Sequence, residues 1–165
     1  MTWSCSSTPA HGVHGATLKH KGVLLEYWVY EWNAEEVAHF KPRIKTGVSD
    51  YMTFWESVAF LMCCITWKSW LETHPVMLVG DNTGSLQNSL DLKGKGALLA
   101  VSRELAWRKA RYLWQYDVGH LPTEHNKLPD ILSRISAPNP EPWPAALVKG
   151  MKQVAPPRVQ DIWWL

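Results

Sequence analysis

The segment Val76–Val79 constrains the fold most, because it is wholly apolar and is bounded by residues that end regular structure. His74-Pro75 precedes it and Gly80-Asp81 follows it. A short apolar run between such residues is typical of a strand that is buried on both faces of a sheet. Covering both faces requires helices, so the sequence predicts an α/β domain.

Other strand patterns complete the predicted sheet. Segments rich in β-branched and aromatic residues cover Cys5–Thr8, His11–Leu18 and Val23–Trp32. They predict antiparallel strands, the last two joined as a hairpin, and a further strand is expected at Trp114–Val118. Together with the apolar segment, these strands form a mixed five-stranded sheet.

Helical patterns alternate with the later strands. Apolar residues recur at helical spacing from Met52 to Thr66, and Ser49 or Asp50 is suited to cap this helix, which is expected to reach about Glu72. Further helices are predicted through Leu90, over Ala97–Leu113 and over Asn126–Ser136. The predicted architecture is therefore a mixed sheet flanked by helices.

The composition is that of a globular protein: 165 residues, of which 46% are apolar, are enough for one core. The longest apolar stretch, Val58–Trp67, is far shorter than the ~20 residues that span a bilayer, so no membrane partner is expected. The first residues resemble no secretory signal. The cysteines are odd in number, and Cys63 and Cys64 are adjacent, which favours a reducing, intracellular compartment.

The 11 tryptophans are unusual for this length. Those within periodic segments are predicted to pack in the core: Trp28, Trp32, Trp55, Trp67, Trp70, Trp107 and Trp114. The composition changes after Ser136, where every second residue from Pro138 to Pro144 is proline. We therefore predict a folded domain over residues 1–136 and a semi-extended, Pro-rich aromatic tail over 137–165, docked by its aromatic residues and a candidate surface for a protein partner.

Three carboxylates lie where structure alone does not favour them. Glu56 falls inside the apolar stripe of its helix, so it requires a partner, either a basic residue or a ligand. Asp81 follows the apolar strand, where it is either a helix N-cap or a ligand at the carboxyl end of the sheet. Asp130 lies in the first turn of the last helix, a position that the helix dipole also favours. Hard oxygen ligands of this kind suit Mg²⁺ and two-metal phosphodiester hydrolysis.

Two segments resemble a known family. Val76–Thr83 and His120–Arg134 are similar to the ribonuclease H domain of retroelement reverse transcriptases, most of all to the DIRS and gypsy types. In that family a strand ends in Asp-Asn or Asp-Ser, and the last helix carries Asn-x-x-Ala-Asp-x-Leu-Ser-Arg, with Pro129 here in the alanine place. The resemblance extends over roughly residues 7–134, and its most specific part is Asn126–Arg134.

The resemblance implies a ribonuclease H-like fold and assigns roles to particular residues. Glu56, Asp81 and Asp130 match the metal-binding, catalytic carboxylates, with Mg²⁺ or Mn²⁺ as cofactor. Asn82 occupies the second place of the Asp-Asn pair and is a candidate contact for nucleic acid. The family's mobile histidine is matched by either His120 or His125, and His120 also fits the structural histidine of a His-x-Pro-Gly turn.

The resemblance fails at the first strand. The family's first carboxylate belongs to an Asp-Ala-Ser-Gly type motif, and this sequence reads Thr8-Pro9-Ala10-His11-Gly12. Proline has neither a carboxylate nor a backbone N–H. Because the missing aspartate bridges both metals in the family, metal binding is expected to be weakened or lost and hydrolysis impaired or absent.

Basic residues after Asp91 form a candidate nucleic-acid surface, because Lys and Arg neutralise phosphates. They are Lys93, Lys95, Arg103, Arg108, Lys109 and Arg111. The alternative is a solvated helix face interleaved with Glu104. Such a surface would read an RNA–DNA hybrid or structured RNA by its backbone shape.

Two functions follow. The first is a retroelement-derived ribonuclease H-like domain that binds RNA–DNA hybrid with impaired hydrolysis of the RNA strand. The alternative is a domesticated, non-catalytic binding or structural subunit of a larger assembly. A nucleotide-binding enzyme is disfavoured, because the chain has neither a glycine fingerprint after a first strand nor a Gly-Lys-Ser/Thr loop.

Overall fold

A computed structural model describes residues 1–8, 13–40, 48–144, 151–158 and 161–163, with the backbone alone for 2–8 and 48–50. Its first strands form an antiparallel meander of β1 (Thr2–Thr8), β2 (Val13–His20) and β3 (Val23–Glu31). Lys21 and Gly22 join β2 to β3 with φ of 50° and 78°. Positive φ at both central residues matches the twist of a tight hairpin, and glycine adopts it without strain.

The remaining strands extend this meander at both edges. β4 (Val76–Gly80) pairs in parallel with β1, and β5 (Tyr116–His120) pairs in parallel with β4. A two-residue strand, β6 (Lys152–Gln153), pairs in parallel with β3. The sheet order is β5-β4-β1-β2-β3-β6. The predicted mixed α/β class is confirmed, but within the described ranges this sheet has six strands instead of five, because the tail adds one at the β3 edge.

The helices pack against this sheet and against each other. They are α1 (Ala34–Phe40), α2 (Val48–Thr66), α3 (Lys68–Leu71), α4 (Thr83–Asp91), α5 (Ala97–Tyr112) and α6 (Lys127–Ser133). A 3-10 turn, Thr123–His125, precedes α6. α2 packs on β1, α4 and α5, whereas α6 packs on β1 and β2. Across the described ranges, none of the helices has the length and apolar character needed to cross a membrane.

Three local predictions were wrong in detail. The helix expected to reach Glu72 breaks at Trp67, whose φ of −108° and ψ of 29° are not helical. The indole N–H of Trp67 donates to Glu26 Oε2 at 2.8 Å, which fixes the break against β3. Met77 is 43% exposed, so β4 is open to solvent on one face at that residue.

The last strand of the domain begins two residues later than predicted, at Tyr116 instead of Trp114. Leu113 ends α5 in the left-handed conformation, with φ of 55°. The Trp114 N–H then donates to Lys109 O at 3.2 Å, which keeps Trp114 in the turn after the helix. This local cap delays the strand.

The core contains most of the predicted tryptophans. Five are buried: Trp28, Trp32, Trp55, Trp67 and Trp114. Trp70 and Trp107 are half-buried. Cys63 and Cys64 are buried and free, in agreement with their expected failure to pair with each other.

The tail packs against the domain through polar as well as aromatic contacts. Ile162 is 1% exposed and belongs to the hydrophobic core, and its carbonyl accepts a hydrogen bond from Arg108 Nη2 at 2.9 Å. The ring of Trp143 meets Tyr27, and that of Trp163 meets Phe40. The predicted docking by aromatic residues therefore accounts for only part of the attachment.

Candidate active site

Two of the predicted carboxylates meet where β4 ends. Glu56 lies on α2 and is 2% exposed, and Asp81 follows the last residue of β4. Gly80 makes room for this approach, because a Cβ there would lie 3.1 Å from Glu56 Oε1 and 2.8 Å from Phe60 Cζ. The glycine before Asp81 thus leaves space for the buried Glu56 side chain beside the strand end.

Glu56 is not part of an ordinary ion pair. Within the parts of the chain that the structure describes, its Oε1 has no hydrogen-bond partner. Burial raises the pKa of Glu56 well above its usual range, and the charge of Asp81 and a hydrogen bond between the two carboxyls raise it further. A carboxylate in this position favours the protonated form or a neighbouring cation. Glu56 is buried and does not lie at a rim, and among the described residues it makes no ion pair with a lysine or arginine.

Asp81 is free to act as a ligand, because another residue caps the helix that follows it. Asn82 is the N-cap of α4, where its Oδ1 accepts from the Ser85 N–H at 2.9 Å. Asp81 is half-buried, and its Oδ2 accepts from Thr123 Oγ1 at 2.9 Å. Thr123 thus orients Asp81, and no pattern in the sequence pointed to it.

Asn82 has a structural role at this position. Besides capping α4, its Oδ1 lies 3.2 Å from the donating Thr53 Oγ1 on α2. Thr53 is one turn before Glu56 on the same helix. Asn82 therefore ties α4 to α2 beside the carboxylates, and its side-chain oxygen is already used within the fold.

Asp130 lies in the first turn of α6, as predicted, and is engaged by a basic residue. Arg134 Nε lies 3.0 and 3.1 Å from its two carboxylate oxygens. α6 is pressed against β2 at Gly15, where a Cβ would lie 2.8 Å from Pro129 O. Among the described residues, no three His, Cys, Asp or Glu side chains form a group that could hold a metal ion. The structure thus joins Glu56 to Asp81 and pairs Asp130 with Arg134.

Both candidate histidines are exposed and lie at and just after the end of β5, the strand that pairs with β4. His120 is the last residue of β5, directly opposite Gly80 in register, and His125 ends the 3-10 turn. The Leu121 N–H donates to Gly80 O at 2.9 Å, which holds the start of this loop at the end of β4. The geometry does not distinguish His120 from His125.

The position of the missing aspartate is only partly described. Pro9 and His11 lie outside the described residues. β1 runs parallel to β4 with Ser4 opposite Val79. Continuing this register by two residues places Ser6 of β1 level with Asp81, so Ser6 is a second position at which a restored carboxylate can be tested.

The predicted basic surface is smaller than expected. Lys93, Lys95, Arg103 and Arg111 are exposed, and Lys109 is half-buried with its Nζ 4.3 Å from the ring centroid of Tyr116. Arg108 is a correction, because it is buried with its Nε 2.9 Å from Glu104 Oε1. Glu104 is also buried, so this part of α5 is not a solvated face.

Sequence reasoning missed a buried histidine on the same side of the molecule. His14 on β2 lies against Trp32 and Trp55, with ring centroids 5.3 and 6.3 Å away. Burial lowers the pKa of His14 to about 3, so the ring is neutral at ordinary pH. The only available signal was its place in an apolar strand pattern.

The residues fit one divalent cation better than two. Glu56 and Asp81 supply hard oxygen donors, and the unpartnered Oε1 is the kind of atom that a cation satisfies. A second ion would need the third carboxylate, which Arg134 engages. Scans against family models, curated proteins and solved structures give no match to this chain.

Proposed function

We propose that this chain is a retroelement-derived ribonuclease H-like domain that binds RNA–DNA hybrid and has weakened hydrolysis of the RNA strand. The observation that carries the proposal is the meeting of Glu56 and Asp81 at the end of β4. A buried carboxyl group whose pKa is strongly raised by burial and by a neighbouring carboxylate, as that of Glu56 is by Asp81, marks a candidate functional site.

The strand arrangement supports the same proposal. Three antiparallel strands are followed by β4 and β5, each reached through helices and each parallel to its neighbour. This agrees with the ribonuclease H-like sheet that the sequence resemblance implies, with β6 as an addition at the β3 edge.

The chain's own residues would act as follows. Thr123 holds Asp81 in place, and the Glu56–Asp81 pair retains a proton when no cation is present, because two adjacent carboxylates do not both ionise readily. Mg²⁺ or Mn²⁺, when bound by Glu56 and Asp81, would supply Lewis-acid activation of water. The exposed Lys93, Lys95, Arg103 and Arg111 would contact phosphates, and Lys109 would lie at their margin.

A second function has its own support. The ion pair of Asp130 with Arg134 neutralises the third carboxylate, and Pro9 stands where the resemblance expects the first. Both features favour a non-catalytic binding or structural subunit of a larger assembly. We rank it second because Glu56 remains buried beside Asp81 without a compensating cation among the described residues.

A cleavage assay on labelled RNA–DNA hybrid separates the two functions. The parent chain is assayed in Mg²⁺ and in Mn²⁺ beside Pro9→Asp, Ser6→Asp and Glu56→Gln. Weak cleavage that Glu56→Gln abolishes supports the enzyme. Cleavage gained only in Pro9→Asp or Ser6→Asp supports an intact but disabled site.

Binding is measured with the same variants, because it distinguishes a disabled nuclease from an unrelated domain. Hybrid affinity is compared with that for duplex DNA of the same sequence at two salt concentrations. Hybrid binding without cleavage in any variant supports the non-catalytic function. Neither cleavage nor hybrid binding in any variant would refute the proposal.

A further inference from the structure

Glu36 is a buried carboxylate that the candidate active site does not use. It lies on α1 and is 5% exposed. Its Oε1 accepts from the Tyr30 hydroxyl at 2.5 Å, and its Oε2 accepts from the Asn33 N–H at 3.0 Å. The Glu36 N–H donates to Asn33 Oδ1 at 2.9 Å, so the two residues form a capping box that fixes the carboxylate.

One further donor to Glu36 comes from the tail. Arg158 Nη2 lies 2.6 Å from Glu36 Oε2, its guanidinium lies 4.4 Å from the ring centroid of Tyr30, and its Nη1 lies 3.5 Å from Glu31 O. A carboxylate, an aromatic face and a carbonyl thus surround the planar group. Arginine fits such a pocket better than lysine, because its donors are fixed in a fork and its face stacks on aromatic rings.

The backbone before Arg158 is recognised as an added strand. Lys152 and Gln153 pair in parallel with Glu26 and Tyr27, and the Val154 N–H donates to Tyr27 O at 2.9 Å. Such strand addition gives affinity through the main chain, while pockets for side chains give specificity. The edge of β3 supplies the main-chain affinity, and the Glu36–Tyr30 pocket supplies the side-chain specificity.

The sequence between β6 and Arg158 suits a peptide ligand. Pro156-Pro157 directly precedes Arg158. Proline restricts φ, so this segment loses less conformational entropy on binding than an ordinary one. An open groove of about 420 Å³ runs between β3 and this segment.

We infer that the β3 edge and the Glu36–Tyr30 pocket form a receptor for an extended Pro-Pro-Arg peptide, which the tail occupies in cis and the tail of a second copy can occupy in trans. The tail of this chain already lies on the receptor, and the tail of a second copy offers identical groups. Exchange of identical elements between copies is a low-cost route to a dimer. This inference is independent of the proposed nuclease function.

The test uses full-length chains and a fluorescein-labelled synthetic peptide of residues 151–158, the segment that contacts the β3 edge and the pocket. Arg158→Ala removes the cis anchor and leaves the receptor intact, so it should bind the peptide at least tenfold tighter than the parent, measured by fluorescence anisotropy. Adding Glu36→Gln to this chain should weaken binding at least tenfold. A peptide with alanine in place of its arginine should bind Arg158→Ala at least tenfold more weakly than the unaltered peptide does.

Exchange between copies is tested by mixing two variants. Arg158→Ala offers a receptor, and Glu36→Gln offers an intact tail, so their mixture should give a 1:1 dimer by mass photometry that neither forms alone. Should Arg158→Ala fail to fold, as judged by circular dichroism, Arg158→Lys replaces it with the same expected order. No peptide binding, equal binding with and without Glu36, or no dimer in the mixture would overturn the inference.

Discussion

The two sides of the molecule differ in whether their buried titratable groups have charged partners. On the tail side, Glu36 and Glu104 are buried, and each is paired with an arginine, Arg158 and Arg108. On the side of β2, α2 and the end of β4, Glu56 is buried as deeply, and within the described residues its Oε1 is unpartnered. His14 lies on this second side, against Trp55.

This difference distinguishes buried glutamates that arginines hold in place from a buried glutamate at a candidate active site. Buried charges in folded proteins are normally paired or bound to metals, because desolvation is costly. The tail side follows that rule, and the ion pairs hold the side chains of Glu36 and Glu104 in fixed positions. The Glu56 side departs from it at the strand end where the carboxylates meet, so Glu56 is the candidate group for the active site, whereas Glu36 and Glu104 are already paired with arginines.

The largest expected effect comes from breaking a pair on the tail side. Arg108→Met removes the arginine that pairs with the buried Glu104 and the donor to Ile162 O, which should lower the free energy of unfolding by about 3–5 kcal/mol. Chemical denaturation measures it. Arg111→Met, at an exposed position on the same helix, is the control and should change stability by less than about 0.5 kcal/mol. Equal effects of the two would remove the contrast between the sides.

The next effect is the pH dependence that His14 confers. Its pKa is about 3 in the folded chain and ordinary in the unfolded chain, so the unfolded state binds more protons between those values. Stability attributable to His14 is therefore present above its ordinary pKa and is lost as pH falls toward about 3.

Between pH 7 and pH 4 this loss should be about 3 kcal/mol. It is measured as the difference in unfolding free energy between the parent and His14→Phe at each pH, which cancels the contributions of other groups. An unchanged difference between pH 7 and pH 4 would show that His14 is not buried as a neutral ring.

A smaller effect of opposite sign is expected on the Glu56 side. Because the pKa of Glu56 is raised, the folded state binds more protons than the unfolded state above the ordinary carboxyl pKa, and stability falls as pH rises through that window. Glu56→Gln should therefore stabilise the chain at pH 7 by about 1–3 kcal/mol. Glu36→Gln is the matched comparison and should destabilise it. Destabilisation by both would place Glu56 with the structural glutamates.

The smallest effect concerns the exposed cations. Arg111→Ala should weaken hybrid binding and reduce the slope of log affinity against log salt by about 1, because one phosphate contact is lost. Glu72→Ala, an exposed change in the segment before β4 that removes no cation, should leave the slope unchanged. A slope that is the same in Arg111→Ala and the parent would exclude Arg111 from the interface.

The sequence predicted what depends on local periodicity. The β2–β3 hairpin follows from strand patterns around Lys21-Gly22, and the burial of Glu56 follows from its place in an apolar stripe. The position of Asp81 at a strand end likewise follows from the apolar run before it. These features depend on short segments of the sequence, and the periodicity of apolar residues predicts the structure of short segments.

The rest depends on contacts between distant segments. Arg108 lies on a helix face that reads as polar, and it is buried because Ile162 of the tail brings a carbonyl to it. Lys152–Gln153 carry no strand pattern and become β6 because the β3 edge is available. Thr123 reaches Asp81 only because the chain turns at Pro122. None of these contacts has a signature within its own segment.

The most direct test of the central claim is a carbon-13 NMR titration of the Glu56 side-chain carboxyl, with and without Mg²⁺. We expect its pKa to lie well above the ordinary glutamate value without Mg²⁺, and to fall when Mg²⁺ is added, because a cation favours the ionised form. An ordinary pKa that Mg²⁺ leaves unchanged would contradict the assignment of Glu56 and Asp81 as a cation-binding acidic pair.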